Sequence, residues 1–307
     1  MSHESPPDQS GHGSNTQPQP LQPPTAASWA PLFAGGYRVE GFSLGGIETA
    51  VRIPELRLAI DVGRGRHSLL RCDHIALTHT HMDHAGGIPY LLALRKLYGM
   101  KSPTVYVPEQ AAADFEATIR AWEKSQRYPL LEAVTPVKPG ERYPIGRDIW
   151  LEPFRTYHPV PSCGYLVVRA VKKLRDEFIG LPGQEVVQLK RDGVEIDRME
   201  EQRLLAVTGD TLPEVFDRTP QILDAEVLIT ECTFLDDRKT LADARAGGHV
   251  HLAELLPRAH LFKNKVLTLS HFSQIYRPEE VPTLLRAFDE ATTPELRCFP
   301  MTGACED

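Results

Sequence analysis

Residues 78–87 read Thr-His-Thr-His-Met-Asp-His-Ala-Gly-Gly, placing His79, His81, Asp83 and His84 within six positions directly after the apolar run Ile75-Ala76-Leu77. A strand sends alternate side chains to one side, so His79 and His81 can reach a common point just past its end. The chain then turns toward Gly86, Gly87 and a helix. Asp83 and His84, adjacent in sequence, diverge from the first pair and can address a second ion. Imidazole with carboxylate suits Zn2+, with Mn2+ or Fe2+ as the other candidates. A one-ion hydrolase built on a helix would show two histidines four apart with a glutamate between them, and this sequence has no such pattern. A histidine-rich surface loop is the bland alternative. With only 12 histidines in 307 residues, a cluster at ligand spacing after a strand favours metal chemistry over that alternative.

A two-ion hydrolase needs about seven ligand positions, so the cluster predicts three more downstream: a histidine for each ion and a carboxylate between them. His158 follows the strand-like stretch 149–154, Asp210 follows Thr208-Gly209, and His271 follows the apolar run ending at Leu269. Singly each is weak, because Gly-Asp-Thr is also an ordinary turn and a histidine after a strand is often only hydrogen-bonded. Their order and their placement after apolar runs make the combination stronger than its parts.

The elements that must position these residues are legible as an alternation of short apolar runs and helical patterns from Tyr37 onward. Leu58-Ala59-Ile60 ends at Asp61, Leu204 to Val207 leads to Asp210, Val227-Leu228-Ile229 leads to Glu231, and Val266 to Leu269 leads to His271. Buried strands feeding one edge give this pattern. Helices are expected over 88–98, 109–125, 251–262 and 278–290, the last opened by Pro278 with acidic residues in its first turn. The expected architecture is α/β, an αββα sandwich of two facing mixed sheets with helices outside.

Residues 1–28 are rich in Pro, Gln, Ser and Gly and carry no Lys or Arg, a disordered-tail composition that is excluded from the expected fold. They lack the basic start and apolar stretch of a secretory signal, and no apolar run is long enough to span a bilayer. The hydrolase domain is placed at 29–307, with a short arm at about 169–203, where Arg169, Lys172, Lys173 and Arg175 open a charged segment broken by Gly180-Leu181-Pro182-Gly183. A solvated hairpin and a substrate-contacting arm are equally compatible with that composition. The five cysteines, Cys72, Cys163, Cys232, Cys298 and Cys305, form no C-x-x-C pair, which suggests neither a disulfide framework nor a thiolate zinc finger and points to a reducing cytoplasm. A net charge of -7 argues against broad non-specific nucleic-acid binding but says nothing about a local basic patch or a metal-bearing site.

The series H-x-H-x-D-H, then His158, Asp210 and His271, resembles that of the metallo-β-lactamase superfamily. Gly164-Tyr165, Gly-Asp-Thr at 209–211, Glu-Cys-Thr-Phe-Leu-Asp-Asp at 231–237, Gly248-His249 and Ser-His-Phe-Ser at 270–273 are similar to the ribonuclease Z family, the endonucleases that mature tRNA 3′ ends. The short plant-type form is the nearest likeness, through Val-Glu-Gly-Phe-Ser-Leu-Gly-Gly at 39–46 and Phe-Ile-Gly-Leu-Pro-Gly-Gln-Glu at 178–185. The likeness runs from about Tyr37 to Phe299.

The resemblance implies a metallo-β-lactamase αββα fold and a zinc-dependent endoribonuclease that removes 3′ trailers from tRNA precursors. It implies two Zn2+ per chain, one held by His79, His81 and His158, the other by Asp83, His84 and His271, with Asp210 bridging. Asp83 would also position the attacking water. Glu231 and His249 would act together on the leaving group, and the protein would be a cytoplasmic homodimer with no membrane association. Within the same superfamily, hydrolases of small phosphodiesters, including cyclic nucleotides, and of thioesters or lactones are the rival reading; a non-catalytic RNA-binding member is disfavoured because no ligand position is lost. Two departures stand out. The Pro-x-Lys-x-Arg-Asn loop of other members has no counterpart before Asp61, and Ile275 stands where the family often has arginine in Phe-Ser-x-Arg-Tyr.

Overall fold

In the computed structural model, which describes residues 32–299, the alternation along the buried strands sorts side chains onto two faces. The tail at 1–28 and Cys305 lie outside the described residues. β4 (Leu58–Val62) sends Leu58 and Ile60 into an apolar layer shared with the other sheet, and Ala59 and Val62 into a second layer under helices. β12 (Val227–Glu231) does the same on the other side, with Val227 and Ile229 facing the first sheet and Leu228 facing the outer helices. Strands covered on both faces read as continuous apolar runs, and each such Leu, Ile or Val contributes about 1.5–3 kcal/mol through burial.

The result is two seven-stranded sheets packed face to face. The first has the order β1-β2-β3-β4-β5-β6-β7, from β1 (Leu32–Ala34) to β7 (Val134–Val137), and the second β14-β13-β12-β11-β10-β9-β8, ending at β8 (Tyr143–Gly146). Besides β4 and β12, the strands used below are β2 (Tyr37–Leu44), β3 (Glu48–Ile53), β5 (His74–Ala76), β6 (Thr104–Pro108), β9 (Ile149–Arg155), β10 (Cys163–Leu174), β11 (Asp197–Val207), β13 (Val266–Ser270) and β14 (Glu295–Cys298). Each sheet joins antiparallel hairpins to a parallel run: β4 to β7 in one, and β11 to β14 in the other. This is the expected αββα arrangement of mixed sheets. The crossovers α1 (Met82–Ala85), α2 (Ile88–Leu97) and α3 (Glu109–Gln126) cover one outer face, and α5 (Glu214–Arg218), α6 (Leu241–Gly247), α7 (Leu252–Leu255) and α8 (Val281–Ala291) cover the other.

Ligands in such sheets gather outside the carboxyl ends of the parallel strands. Asp61, the 78–84 segment, Asp210, Glu231 and His271 all lie at or just past those ends. Hydrogen bonds hold the rims of the two sheets together, among them one from the Tyr165 hydroxyl to the Leu77 carbonyl at 2.7 Å and one from the Cys163 amide to the Thr78 carbonyl at 2.9 Å.

Two helices differ from expectation. The stretch 251–262 is one α-helical turn at Leu252–Leu255 followed by a 3-10 helix at Leu256–Leu261, because Pro257 has no amide to continue the α ladder. The last helix starts at Val281, with Pro282 rather than Pro278 in its first turn. Segment 169–203 is largely a two-stranded ribbon in which β10 pairs antiparallel with β11 from Tyr165–Val207 out to Leu174–Asp197. Its tip carries α4 (Gly183–Arg191). Half of its basic side chains are ion-paired along the ribbon, Lys173 with Glu200, Arg175 with Glu195, Lys190 with Asp197 and Arg198 with Asp176.

Candidate metal centre

Six histidines and two aspartates converge at the joint rim. His79 Nε2 lies 3.1 Å from His81 Nδ1, and His158 Nε2 lies 3.3 Å from the same atom. Asp210 Oδ2 is 3.7 Å from His79 Nε2 and 3.3 Å from His271 Nε2, while its Oδ1 is 3.4 Å from His84 Nε2. Asp83 Oδ2 is 3.4 Å from His271 Nε2 and 3.6 Å from His84 Nε2. The side chains therefore fall into one group of His79, His81, His158 and Asp210 and another of Asp83, His84 and His271, each with ligand atoms mutually within 4.8 Å; Asp210, His249 and His271 form a third, overlapping set at the same limit. Asp210 reaches members of the first two groups.

The hydrogen bonds behind these atoms fix which nitrogen each ring presents. Thr78 Oγ1 donates its one proton to Asp61 Oδ2 at 2.7 Å, so the 3.0 Å contact with His79 Nδ1 must be a bond donated by the ring. The same reasoning makes His84 Nδ1 donate to Asp61 Oδ2 at 2.8 Å and His158 Nδ1 donate to the Gly248 carbonyl at 3.1 Å. Thr233 Oγ1 donates to Glu231 Oε2 at 2.5 Å and accepts from His271 Nδ1 at 2.9 Å. Four rings are thus anchored by a bond donated from Nδ1, which leaves Nε2 facing inward, the arrangement in which outer partners orient metal-ligating histidines. His81 turns Nδ1 inward instead.

The donor set fits divalent metal. Buried His84 Nε2 and Asp210 Oδ1 have no hydrogen-bond partner among the described residues, and an unsatisfied buried polar atom costs roughly 1–3 kcal/mol without compensation. A cation between them satisfies both. Electrostatics agree: burial pushes the His79 pKa down, reinforced by the neighbouring His84, whereas burial of His84 is outweighed by the Asp210 and Asp61 carboxylates, which hold its pKa well above that of a free imidazole. Asp210, although buried, is driven well below the usual carboxylate range by His271, His84 and His79.

Backbone geometry is specialised at the same points. Asp61 and His271 adopt φ of 55° and 60°, a left-handed conformation that costs a side-chain-bearing residue roughly 1–2 kcal/mol. Asp61 is held there by the Thr78 amide, the Thr78 hydroxyl and His84, and the His271 amide donates to Ser43 Oγ at 2.9 Å. Gly209, φ 62°, lets the chain carrying Asp210 pass so close to Thr78 that a Cβ would lie 2.6 Å from the Thr78 Cβ.

Beside the cluster, His249 Nδ1 donates to Glu231 Oε1 at 3.1 Å. Glu231 is itself buried and also accepts from the amides of Thr211 and Val250. Burial lowers the His249 pKa, but Glu231, with Asp210 and Asp83, outweighs it and lifts the pKa to about 9. Such a ring is protonated at neutral pH. His249 follows Gly248, the left-handed cap of α6, where a Cβ would strike Pro159 at 2.2 Å. That tight approach lets the Gly248 carbonyl reach His158.

All nine sequence-derived site residues, His79, His81, Asp83, His84, His158, Asp210, Glu231, His249 and His271, are brought to this rim. Asp61, Thr78 and Thr233 were not among them. For Asp61 a signal existed, a carboxylate ending a buried strand; the two threonines are marked only by their neighbours.

A family described as the β-lactamase superfamily domain matches residues 48–182. The chain is 39% identical to tRNase Z TRZ1 of Arabidopsis thaliana, over 87% of this chain and 95% of that protein. The chain belongs to the tRNase Z family. It is also 36% identical to the chloroplastic tRNase Z TRZ2 of Arabidopsis thaliana, over 80% of this chain and 70% of that one. Among solved structures, the human tRNase Z short form aligns with a TM-score of 0.52 at 22% identity, covering 77% of this chain and 93% of that one. The metallo-β-lactamase fold protein YhfI of Bacillus subtilis aligns with a TM-score of 0.59 at 16% identity, covering 86% and 96%. At those identities the structural likeness speaks for the fold, whereas membership of the tRNase Z family rests on the sequence relatives.

Proposed function

We propose that this protein is a zinc-dependent endoribonuclease that hydrolyses a phosphodiester to remove 3′ trailers from tRNA precursors. One observation carries the reading: a buried glutamate and a histidine, Glu231 and His249, form a hydrogen-bonded pair at the edge of a histidine–aspartate cluster. Phosphodiester cleavage expels a strongly basic ribose oxygen, and this pair supplies the proton that a thioester or lactone needs far less. His79, His81 and His158 would hold one Zn2+, Asp83, His84 and His271 the other, and Asp210 both. When bound, the ions supply Lewis acidity to the phosphate and acidify the attacking water.

The chain's own residues do the rest. Asp83, its Oδ2 held by the Gly46 amide at 2.9 Å, positions the attacking water and accepts its hydrogen bond. His249, oriented through Nδ1 by Glu231, donates its Nε2 proton to the departing 3′-oxygen. The water oxygen becomes part of the trailer's 5′-phosphate, and the tRNA leaves with a free 3′-hydroxyl.

The test is a comparison of three substrates with purified protein: a tRNA precursor bearing a 3′ trailer, a small chromogenic phosphodiester and a glutathione thioester. Cleavage of the precursor at the trailer junction is expected, with the thioester untouched; cleavage of the small phosphodiester alone overturns the tRNA assignment. Elemental analysis should find about two zinc ions per chain, and prolonged chelation should remove them together with activity.

Asp61 would serve both ions from below, through His84 directly and His79 through Thr78. Asp61→Ala is expected to weaken metal affinity roughly 10–100-fold, read by competition with a chromogenic chelator. Unchanged affinity would remove that role.

The arm at 169–203, in the domain we place at 29–307, is proposed to contact tRNA through Lys172 and Arg191, which make no ion pair among the described residues. We also read the protein as a cytoplasmic homodimer. In support, Met82, Tyr90, Phe115 and Trp122 line an apolar groove of about 670 Å³ between α1, α2 and α3, the kind of exposed patch that marks an interaction surface. Cys72, Cys163, Cys232 and Cys298 are free thiols, in keeping with a reducing compartment. No described helix is long and apolar enough to cross a membrane. Light scattering at micromolar concentration should give twice the 34.3 kDa chain mass.

A further inference from the structure

We propose that Thr233 is a positioning residue that ties the leaving-group acid to the metal shell, so that the carboxylate orienting His249 is held by the same hydroxyl that orients His271. Among the described residues there are two carboxylate–threonine–histidine relays at this rim, one per sheet. In the first, Asp61, Thr78 and His79 are linked at 2.7 and 3.0 Å, and Asp61 also takes His84; every histidine it serves belongs to the cluster. In the second, Glu231, Thr233 and His271 are linked at 2.5 and 2.9 Å, and Glu231 also takes His249, which the proton-transfer reading sets outside the cluster. The two relays share a design and differ in what the carboxylate does next.

The bond count on Glu231 shows what Thr233 contributes. Oε1 accepts from the Thr211 amide at 2.7 Å and from His249 Nδ1 at 3.1 Å, and Oε2 accepts from Thr233 Oγ1 and, at 3.1 Å, from the Val250 amide. Thr233 is the only side chain other than His249 that holds this carboxylate among the described residues. Its hydroxyl is buried, so water does not replace it. Valine keeps the shape and deletes the hydroxyl. Glu231 Oε2 then loses its shortest bond and His271 Nδ1 its acceptor, which frees both the carboxylate plane and the ring.

This inference rests on His249 being the proton donor, and the experiment separates the two. Single-turnover cleavage at saturating Zn2+ is measured on a tRNA precursor with the normal 3′-oxygen at the scissile bond, and on the same precursor with a bridging 3′-sulfur, whose thiolate leaves without a proton. The proteins are wild type, Thr233→Val, Thr233→Ser, Thr78→Val and His249→Ala. Thr233→Val is expected to lose roughly 10–100-fold on the oxygen substrate, the range for an outer-shell partner, and distinctly less on the sulfur substrate, where only the loosened His271 ring is felt and not the misaligned acid. KM should stay near wild type, Thr233→Ser should restore the rate, and Thr78→Val should slow both substrates equally. A melting curve and zinc content for each variant establish that it is folded and loaded.

Equal losses of Thr233→Val on oxygen and sulfur, no loss on either, or failure of Thr233→Ser to restore the rate, each overturns the coupling. If His249→Ala itself shows no preference for sulfur, the proton-donor reading fails first. If His249→Ala shows the preference and Thr233→Val does not, only the present inference fails.

Discussion

Asp210→Ala is expected to empty the proposed metal centre: the purified variant should carry well under one zinc per chain, and precursor cleavage should fall by more than the roughly 100-fold reached when outer-shell partners are lost. The argument is electrostatic. Asp210 is buried at the meeting point of both ligand groups, with His79, His84 and His271 each within 3.7 Å of one of its oxygens. Without its charge, two dications would be placed among the rings with Asp83, beside His84 and His271, as the remaining carboxylate of the proposed ligand set, and holding like charges close in a medium of low dielectric is costly. Inductively coupled plasma measurement of zinc decides the matter. A variant that is inactive yet carries two zinc ions would show that Asp210 does not bridge.

His249→Ala has the second largest effect and the opposite signature. General acids contribute roughly 10²–10⁴-fold, so the chemical step should slow by that factor while zinc content stays near two per chain and precursor affinity is little changed. The sign of the pH dependence follows from the raised pKa of His249, about 9. A raised value keeps the donor protonated at neutral pH, and the proton is lost as pH rises through it, so the wild-type rate should fall on the alkaline side and the variant should lack that limb. Wild-type turnover by His249→Ala would remove the acid assignment.

Glu231 and His249 also show what could be read in the chain and what could not. The candidate ligand series was legible because the H-x-H-x-D-H spacing is local: it lies in the few residues between the end of β5 at Ala76 and the turn of α1 at Met82–Ala85, so its side chains leave the chain close to one another. The strands β4, β12 and β13 and the Leu204–Val207 end of β11 were legible because each is an apolar run covered on both faces. The helix at 251–262 was misread because an apolar pattern continues through Pro257 while the α ladder cannot. The ribbon of segment 169–203 was not legible as extended strand, since a charged two-stranded arm with solvent on its faces has no buried side to impose a pattern.

By itself, then, the sequence determined the αββα class, and it supplied the candidate ligand residues and, through its likeness to the ribonuclease Z family, the roles proposed for Glu231 and His249. Only the tertiary structure decided how those residues are held. Asp61 at the end of β4 lies 17 residues from Thr78 and 23 from His84, and Thr233 lies 38 residues from His271, separations at which spacing carries no information. The parallel strands of the two sheets had to end at one rim before these carboxylates, hydroxyls and rings could meet. Burial then left them no water to bond, so each had to satisfy the next, and the two relays follow from that requirement.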